Sequence, residues 1–250
     1  MSTAKPEILE TLSSPYNDVV VRRRKKRIDF DVAGATFATW HPKKMLTGYS
    51  WDAITTACMM MAEEPRSILL LGLAGGTVVR QLRALLPDTC ISAVEIDEAV
   101  VDLGRRHMEL DQLQCNVIID DAYEYLRTTD RSFDIVVDDV YRSGVDDVER
   151  PYQKIHDLVA RMSRRIHRNG LVIANFVTGD DHQRLYEQAE AVFLSRFEAC
   201  AKVIPPLGYN TILVGGTTFQ QSKSVRNFRT QFAEKLDRKH WSKVFIERLS

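Results

Sequence analysis

The chain has 250 residues, with 34 Lys plus Arg against 34 Asp plus Glu and a formal net charge of zero, a balance that argues against a nucleic-acid-coating protein or one with an acidic tail. With 44% hydrophobic, 27% charged and 8% aromatic residues, it reads as globular and is long enough to bury about three quarters of its unfolded surface. The apolar stretches 57–62 and 68–73 fall far short of the roughly 18 residues that a bilayer span needs, so no membrane association is expected.

The N-terminus enters mixed polar sequence without an apolar core or a small-residue cleavage site, which reads as cytoplasmic. Strands are predicted over 18–21, 27–32 and 36–40, with Gly34 in the turn between the last two, giving a small β appendage over residues 1–47. The unbroken run Arg22, Arg23, Arg24, Lys25, Lys26, Arg27 has the potential to hold a polyanion. Its place in a strand pattern favours a solvated basic edge that blocks aggregation. A helix follows from Ser50 as N-cap, through Ala53, Ile54, Ala57, Cys58 and Met61, and ends before Pro65. Met59, Met60 and Met61 read as core or subunit-contact residues.

From Ser67 onward, short β-type runs alternate with helical patterns, the signature of βαβ units and a parallel sheet. The expected strands are 67–71, 91–95, 116–119, 134–138, 170–176, 199–204 and 210–215. Helices fill 77–86, 98–108, 122–127, 151–165 and 182–197. The short Pro205–Pro206–Leu207–Gly208 connection suits an antiparallel pair of strands at the sheet edge. The main domain thus spans 48–216. In the tail, 217–250, the spacing of Val225, Phe228, Phe232 and Leu236 predicts an amphipathic helix packed on the domain or on a partner subunit. The four cysteines, Cys58, Cys90, Cys115 and Cys200, have no metal or disulfide spacing, so no metal is expected.

Net neutrality conceals segregation. Residues 120–150 hold ten acids against four arginines, whereas 217–250 hold eight bases against three acids. The sharpest local feature is Leu71-Gly72-Leu73-Ala74-Gly75-Gly76-Thr77, a buried strand, a glycine loop and a helix start. Glycines there let a ligand approach the main chain, and the helix offers its unpaired N–H groups and positive dipole end. It is not the dinucleotide G-x-G-x-x-G, because Ala74 and Thr77 take the second and third glycine positions. Glu95 ends the next strand, placed to accept both hydroxyls of a ribose. Asp121-Ala122 opens a helix after the third strand, where the carboxylate either takes an adenine amino group or simply caps the helix. Asp139 ends a further strand at the carboxyl edge, where open α/β sheets bind ligands. Asp138 and Asp139 point to opposite faces if extended, so only one faces a site there.

These segments, 71–77, 94–97, 120–126 and 133–139, resemble the four motifs of the class I S-adenosylmethionine-dependent transferase fold, and their order and wording resemble the spermidine synthase family. The resemblance implies an α/β, Rossmann-like class I methyltransferase sheet, mostly parallel with an antiparallel edge strand. It also implies that Gly72 and Gly75 line the methionine part of the cofactor, Glu95 holds the ribose, Asp121 with Ala122 holds the adenine and Asp139 is the acid/base. The family's aminopropyltransferases carry an Asp where this chain has Gly75. That acid pairs with the amine of decarboxylated S-adenosylmethionine and would repel the carboxylate of the intact molecule. A second family acid is replaced by Arg142, a cation that repels a protonated polyamine. The family's late substrate-side tyrosine aligns with Leu207, with Tyr209 two residues on.

By the same resemblance Tyr49, Trp51, Asp52, Tyr141 and Tyr152 line the acceptor edge, where aromatics would supply cation–π attraction and exclude water. His41, beside Trp40, is a lesser acid/base candidate. The leading expectation is methyl transfer from S-adenosylmethionine to a small-molecule acceptor in a homodimer, with no nucleic-acid partner. Polyamine aminopropyl transfer from decarboxylated S-adenosylmethionine is the alternative. A catalytically silent nucleoside-binding or interaction module is the third.

Overall fold

The structure is a computed structural model that describes residues 5–143, 148–152, 154–179, 181–220 and 222–250. Asp146 and Asp147 of the acidic run, and the first residues of the chain, lie outside the described residues.

Four strands, β1 (Glu7–Ser13), β2 (Asp18–Arg24), β3 (Arg27–Val32) and β4 (Ala35–Trp40), form an antiparallel sheet in that order. Alternation puts Val19, Val21, Ile28, Phe30, Val32 and Ala38 on one buried face, packed against Val100, Leu103 and Met108. The strand β1 was not expected, because its burial is shallow and its apolar alternation weak. Its presence corrects the reading of the basic run. β2 is an inner strand, and the arginines of the run are neutralised within the sheet: Arg22 meets Asp31 at 2.9 Å, Arg23 meets Glu7 at 3.3 Å, and Arg24 and Arg27 reach the buried Asp29 at 3.2 and 2.9 Å. Lys25 and Lys26 make the hairpin turn, with Lys25 at φ 61°.

Helix α1 (Ser50–Cys58) starts one residue after its N-cap, Tyr49, and Met59, Met60 and Met61 follow it into the core. The alternating units are β5 (Ser67–Leu71), α2 (Thr77–Leu85), β6 (Cys90–Glu95), α3 (Glu98–Met108), β7 (Asn116–Ile119), α4 (Ala122–Thr128) and β8 (Phe133–Asp138). A two-stranded ribbon follows, β9 (Arg142–Ser143) and β10 (Val148–Glu149), then α5 (Ile155–Ser163), β11 (Ile166–Val177), α6 (Gln183–Arg196), β12 (Ala199–Ile204) and β13 (Asn210–Gly216). The chain closes with α7 (Ser222–Asn227), α8 (Lys235–Lys243) and β14 (Phe245–Arg248).

The main sheet runs β14-β12-β13-β11-β8-β5-β6-β7. It is parallel from β11 to β7, β13 is antiparallel to both β11 and β12, and β14 is antiparallel to β12. Alternate residues feed two cores. Ile68, Leu70, Ile91, Ile135 and Val137 face α1, α2 and the tail, whereas Leu69, Leu71, Val94, Val136 and Val172 face α4, α5 and α6. Sequence order reverses between β5 and β8, where Leu71 pairs with Asp138 and the Asp139 N–H donates to the Leu71 carbonyl at 2.9 Å. Open α/β sheets place their ligands outside the strand carboxyl ends at such a switch point.

The tail is not the single amphipathic helix expected. It breaks into α7, a 3₁₀ turn (Phe228–Gln231), α8 and β14, because Phe245-Ile246-Glu247-Arg248 alternates as a strand and pairs with β12. Val225 and Phe232 join Trp241 and Val244 in the main core, whereas Leu236 stays exposed. The buried Asp237 carboxylate accepts the N–H groups of Met45 and Leu46 at 2.8 and 3.1 Å, tying α8 to the chain before α1. The edge strand is therefore β14, and the β12–β13 pair lies one strand further in.

Candidate active site

A cavity of about 550 Å³ opens at the carboxyl ends of β5, β6 and β8. The glycine loop supplies Gly72, Leu73 and Ala74; β6 supplies Glu95 and the adjoining Ile96; the start of α4 supplies Asp121, Ala122 and Tyr123; and the end of β8 leads to Asp139, Val140, Tyr141 and Arg142. The N-terminal sheet closes the opposite side with Tyr16, Asn17, Phe30, Val32 and Phe37.

Gly72 adopts φ +86°, and a Cβ there would lie 2.6 Å from the Asp139 carbonyl oxygen, so only glycine lets β5 and β8 close together. Ala74 is held at φ 47°. Its N–H and that of Leu73 donate to Glu95 Oε2 at 2.9 and 3.1 Å, so the carboxylate proposed for a ribose also fixes the loop. Asp121 caps α4, with Oδ1 accepting from the Tyr123 and Glu124 N–H groups at 2.8 and 3.0 Å. Its other oxygen takes no part in the cap, so the two readings of Asp121 are compatible.

Asp138 and Asp139 diverge as the strand geometry requires. Asp138 is fully buried and forms an ion pair with Arg150. Asp139 reaches the cavity, where Asn175 Nδ2 donates to Oδ1 at 2.7 Å. Burial pushes the Asp139 carboxyl up to about 7, with the Asn175 hydrogen bond opposing, the Asp138 charge adding and Arg150 opposing. Such a group exchanges a proton near neutrality, which is what general acid–base chemistry requires. The Tyr141 hydroxyl donates to the Asn175 carbonyl at 3.0 Å and accepts the Val177 N–H at 3.0 Å, so its ring is a fixed wall.

Among the acceptor-side residues, Trp51, Tyr141 and Arg142 line the cavity. Arg142 is not a free cation: it pairs with Glu149 across the β9–β10 ribbon at 2.7 Å. Tyr49 and Tyr209 are exposed at 45% and 79% and do not line the cavity. Tyr152 packs on Tyr123 at 5.0 Å between ring centroids. His41 accepts the N–H groups of Lys43 and Lys44 through Nδ1, away from the site.

Asp52 turns into the protein, where it accepts from the Thr47 and Gly48 N–H groups, the Thr47 hydroxyl and Gln81 Nε2. It is therefore a closure of the loop before α1. Asp52→Ala would take the acceptor from the Gly48 N–H and from the half-buried Thr47 N–H and hydroxyl, with Gln81 Nε2 keeping the Met45 carbonyl, and we expect it to lower stability by about 2–4 kcal/mol in a denaturant melt with nucleoside affinity changed only a few-fold.

Gly75 also lies outside the cavity lining. A Cβ there would meet Met108 Sδ at 2.4 Å and Ala38 Cβ at 2.8 Å, so this glycine serves the packing of the N-terminal sheet on α3. Sequence reasoning missed Asn17, Asn175 and Arg150. Asn17 lines the cavity, its Nδ2 donates to Asp97 at 3.0 Å and its Oδ1 is buried without a partner among the described residues. That orphaned acceptor, the sites around Glu95 and Asp121 and the close backbone at Gly72 fit an adenosyl cofactor with a hydroxyl or amine to donate.

Residues 49–225 match the family model for the spermine/spermidine synthase domain. The chain is 29% identical over 167 residues to an eEF1A lysine and N-terminal methyltransferase homolog from Drosophila pseudoobscura pseudoobscura, covering 64% of this chain and 24% of that protein. It is 25% identical over 213 residues to a polyamine aminopropyltransferase from Neisseria meningitidis, covering 82% and 75%. This chain thus spans about a quarter of the first relative and three quarters of the second. Among solved structures, spermidine synthase from Thermotoga maritima superimposes with a TM-score of 0.72 at 13% identity over 94% of this chain and 82% of its own. Human methyltransferase-like protein 13, solved in complex with SAH, gives 0.61 at 17% identity over 75% and 92%.

Proposed function

The chain belongs to the spermine/spermidine synthase family and has the Rossmann-like class I methyltransferase fold, and on that premise we propose that it transfers a methyl group from S-adenosylmethionine to a small-molecule acceptor. The observation that carries this reading is the enclosure of Gly75 by Met108, Ala38 and Phe30. The acid that resemblance assigns to this position in aminopropyltransferases has no room here, so the site lacks the group that would favour decarboxylated cofactor and repel the intact one.

When bound, the cofactor supplies a methyl group activated by a sulfonium charge. Gly72 lets the methionine part approach the main chain, and Glu95 retains acceptor capacity for the ribose beyond the three N–H groups it already holds. Asp121 Oδ2, outside the cap, would hold the adenine amino group. Asp139 takes the acceptor proton on the oxygen that Asn175 leaves open, and Trp51 with Tyr141 excludes water. Orientation of the nucleophile against the methyl group provides much of the rate.

Aminopropyl transfer is the second reading, favoured by the family itself and by the Neisseria meningitidis relative. Calorimetry with intact and decarboxylated S-adenosylmethionine, followed by product analysis, separates the two. We expect tighter binding of the intact molecule and S-adenosylhomocysteine as product. Preference for the decarboxylated form with methylthioadenosine as product overturns the methyl-transfer reading.

A further inference from the structure

Behind the cavity wall, the segment after β10 sends Arg150 inward, where it is 5% exposed. Its guanidinium pairs with Asp138 and donates to the Asn175 carbonyl. It also lies 4.5 Å from the Phe176 ring centroid and 5.4 Å from that of Tyr141. These partners converge on Asp139: Asp138 precedes it in the strand, Asn175 holds its Oδ1, and the Tyr141 hydroxyl is bonded to the same Asn175 carbonyl that Arg150 engages.

We infer that Arg150 is a positioning residue: it satisfies Asp138, clamps Asn175 so that the amide stays on Asp139, and thereby sets whether Asp139 can carry a charge beside a second carboxylate. The inference rests on the proposed use of Asp139 toward a sulfonium cofactor. Two adjacent carboxylates, one fully buried and one half-buried, cannot both ionise cheaply, and without the guanidinium the pair would hold a proton to higher pH, delaying ionisation of Asp139. Arg150 lessens that conflict. Burial works against its own charge, but the Asp138 carboxylate keeps the guanidinium protonated beyond its ordinary range. The Tyr123 and Tyr141 hydroxyls are pushed up by burial and stay neutral. Across the cavity stand Glu95, Asp121 and the self-neutralising Arg142–Glu149 pair. The buried cation opposite Asp138 is therefore the contact that separates the roles of the two acids.

The test compares S-adenosylmethionine, which carries the methyl sulfonium, with neutral S-adenosylhomocysteine by calorimetry from pH 5.5 to 8.5. The pH dependence of the ratio of their Kd values reports the negative charge at Asp139, since the two nucleosides differ only in the methyl group and the sulfonium charge it brings. In the wild type, the preference for S-adenosylmethionine is expected to grow through a midpoint near 7, and Asp139→Asn abolishes that midpoint. Arg150→Met should move it up by about one pH unit or more, and adding Asp138→Asn should move it back. A merely structural Arg150 weakens both nucleosides alike and leaves the midpoint in place, which overturns the inference. If Arg150→Met does not fold, Arg150→Gln, which keeps a hydrogen-bonding side chain beside Asp138 and the Asn175 carbonyl but removes the charge, decides: a midpoint that rises supports the inference, and an unmoved one overturns it. Binding of neither nucleoside overturns the cofactor assignment itself, an outcome distinct from an unmoved midpoint.

Discussion

Replacing Asp139 by Asn is expected to lower kcat about 100- to 10,000-fold, the usual range for losing a positioned general base, while S-adenosylhomocysteine binding stays within a few-fold of wild type. The amide keeps the shape of the side chain beside Asn175 and removes the negative charge together with the capacity to take a proton. Turnover followed by S-adenosylhomocysteine release, with binding measured separately, distinguishes a chemical defect from a folding defect. A variant with undiminished turnover would remove Asp139 from the mechanism.

The same residue sets a pH dependence whose sign is fixed. Its carboxyl is held up to about 7 in the folded chain, chiefly by burial. The base form, and with it the rate, therefore rises with pH and levels off above that value. Stability runs the other way. A carboxyl raised on folding contributes fully below its unfolded value near 4, and that contribution is lost as pH rises toward 7. Asp139→Asn should therefore be more stable than wild type at pH 8, by about 2 kcal/mol, and the difference should shrink on acidification. Activity and stability thus pull against each other at this position, as expected where a buried group is kept for chemistry.

Much of the main sheet was legible because its signals are local. The apolar runs 68–71 of β5 and 135–137 of β8 are continuous, since both faces of a parallel strand are covered, and they end at Gly72 and at the Asp138–Asp139 pair, where the run breaks abruptly. Asp97 and Asp121 announce the starts of α3 and α4 by capping them. The failures came where structure depends on distant partners. β1 forms only because β2 offers it an edge. The tail reads as a helical stripe over Val225, Phe228 and Phe232, yet its end is captured by the open edge of β12. The basic run looked like an edge because Asp29, Asp31 and Glu7 cannot be seen from the sequence to lie opposite it.

The site divides on the same line. Gly72, Glu95, Asp121 and Asp139 sit at strand ends or helix starts, positions that the βαβ pattern fixes without knowledge of packing. The acceptor-side residues depend on loop conformation, and there Tyr49, Asp52 and Tyr209 fall outside the cavity whereas Trp51, Tyr141 and Arg142 line it. Charge alone also misled at Arg142, whose partner Glu149 follows seven residues later and pairs only through the ribbon. Arg150 has an ordinary sequence context, and its burial beside Asp138 arises only when that ribbon folds back. Asn17 likewise enters the cavity through a turn whose anchor, Asp97, lies on a different unit of the fold.

Gly75→Asp is expected to destabilise the chain without converting it to an aminopropyltransferase. The first added atom would stand 2.4 Å from Met108 Sδ, 2.8 Å from Ala38 Cβ and 3.1 Å from Phe30 Cε2, so the carboxylate would point into the apolar seam between the N-terminal sheet and α3. Overpacking of this kind costs about 1–3 kcal/mol, and an unpaired buried charge adds to it. We expect a loss of at least about 3 kcal/mol in a denaturant melt, and no gain in affinity for decarboxylated S-adenosylmethionine. Gly75→Ala isolates the steric part and should account for about half of the loss. Combining Gly75→Asp with Met108→Ala removes the nearest obstacle, so partial recovery of stability would locate the conflict in the seam. If Gly75→Asp instead keeps wild-type stability and prefers the decarboxylated cofactor, position 75 faces the ligand, and the shape argument for methyl transfer fails with it.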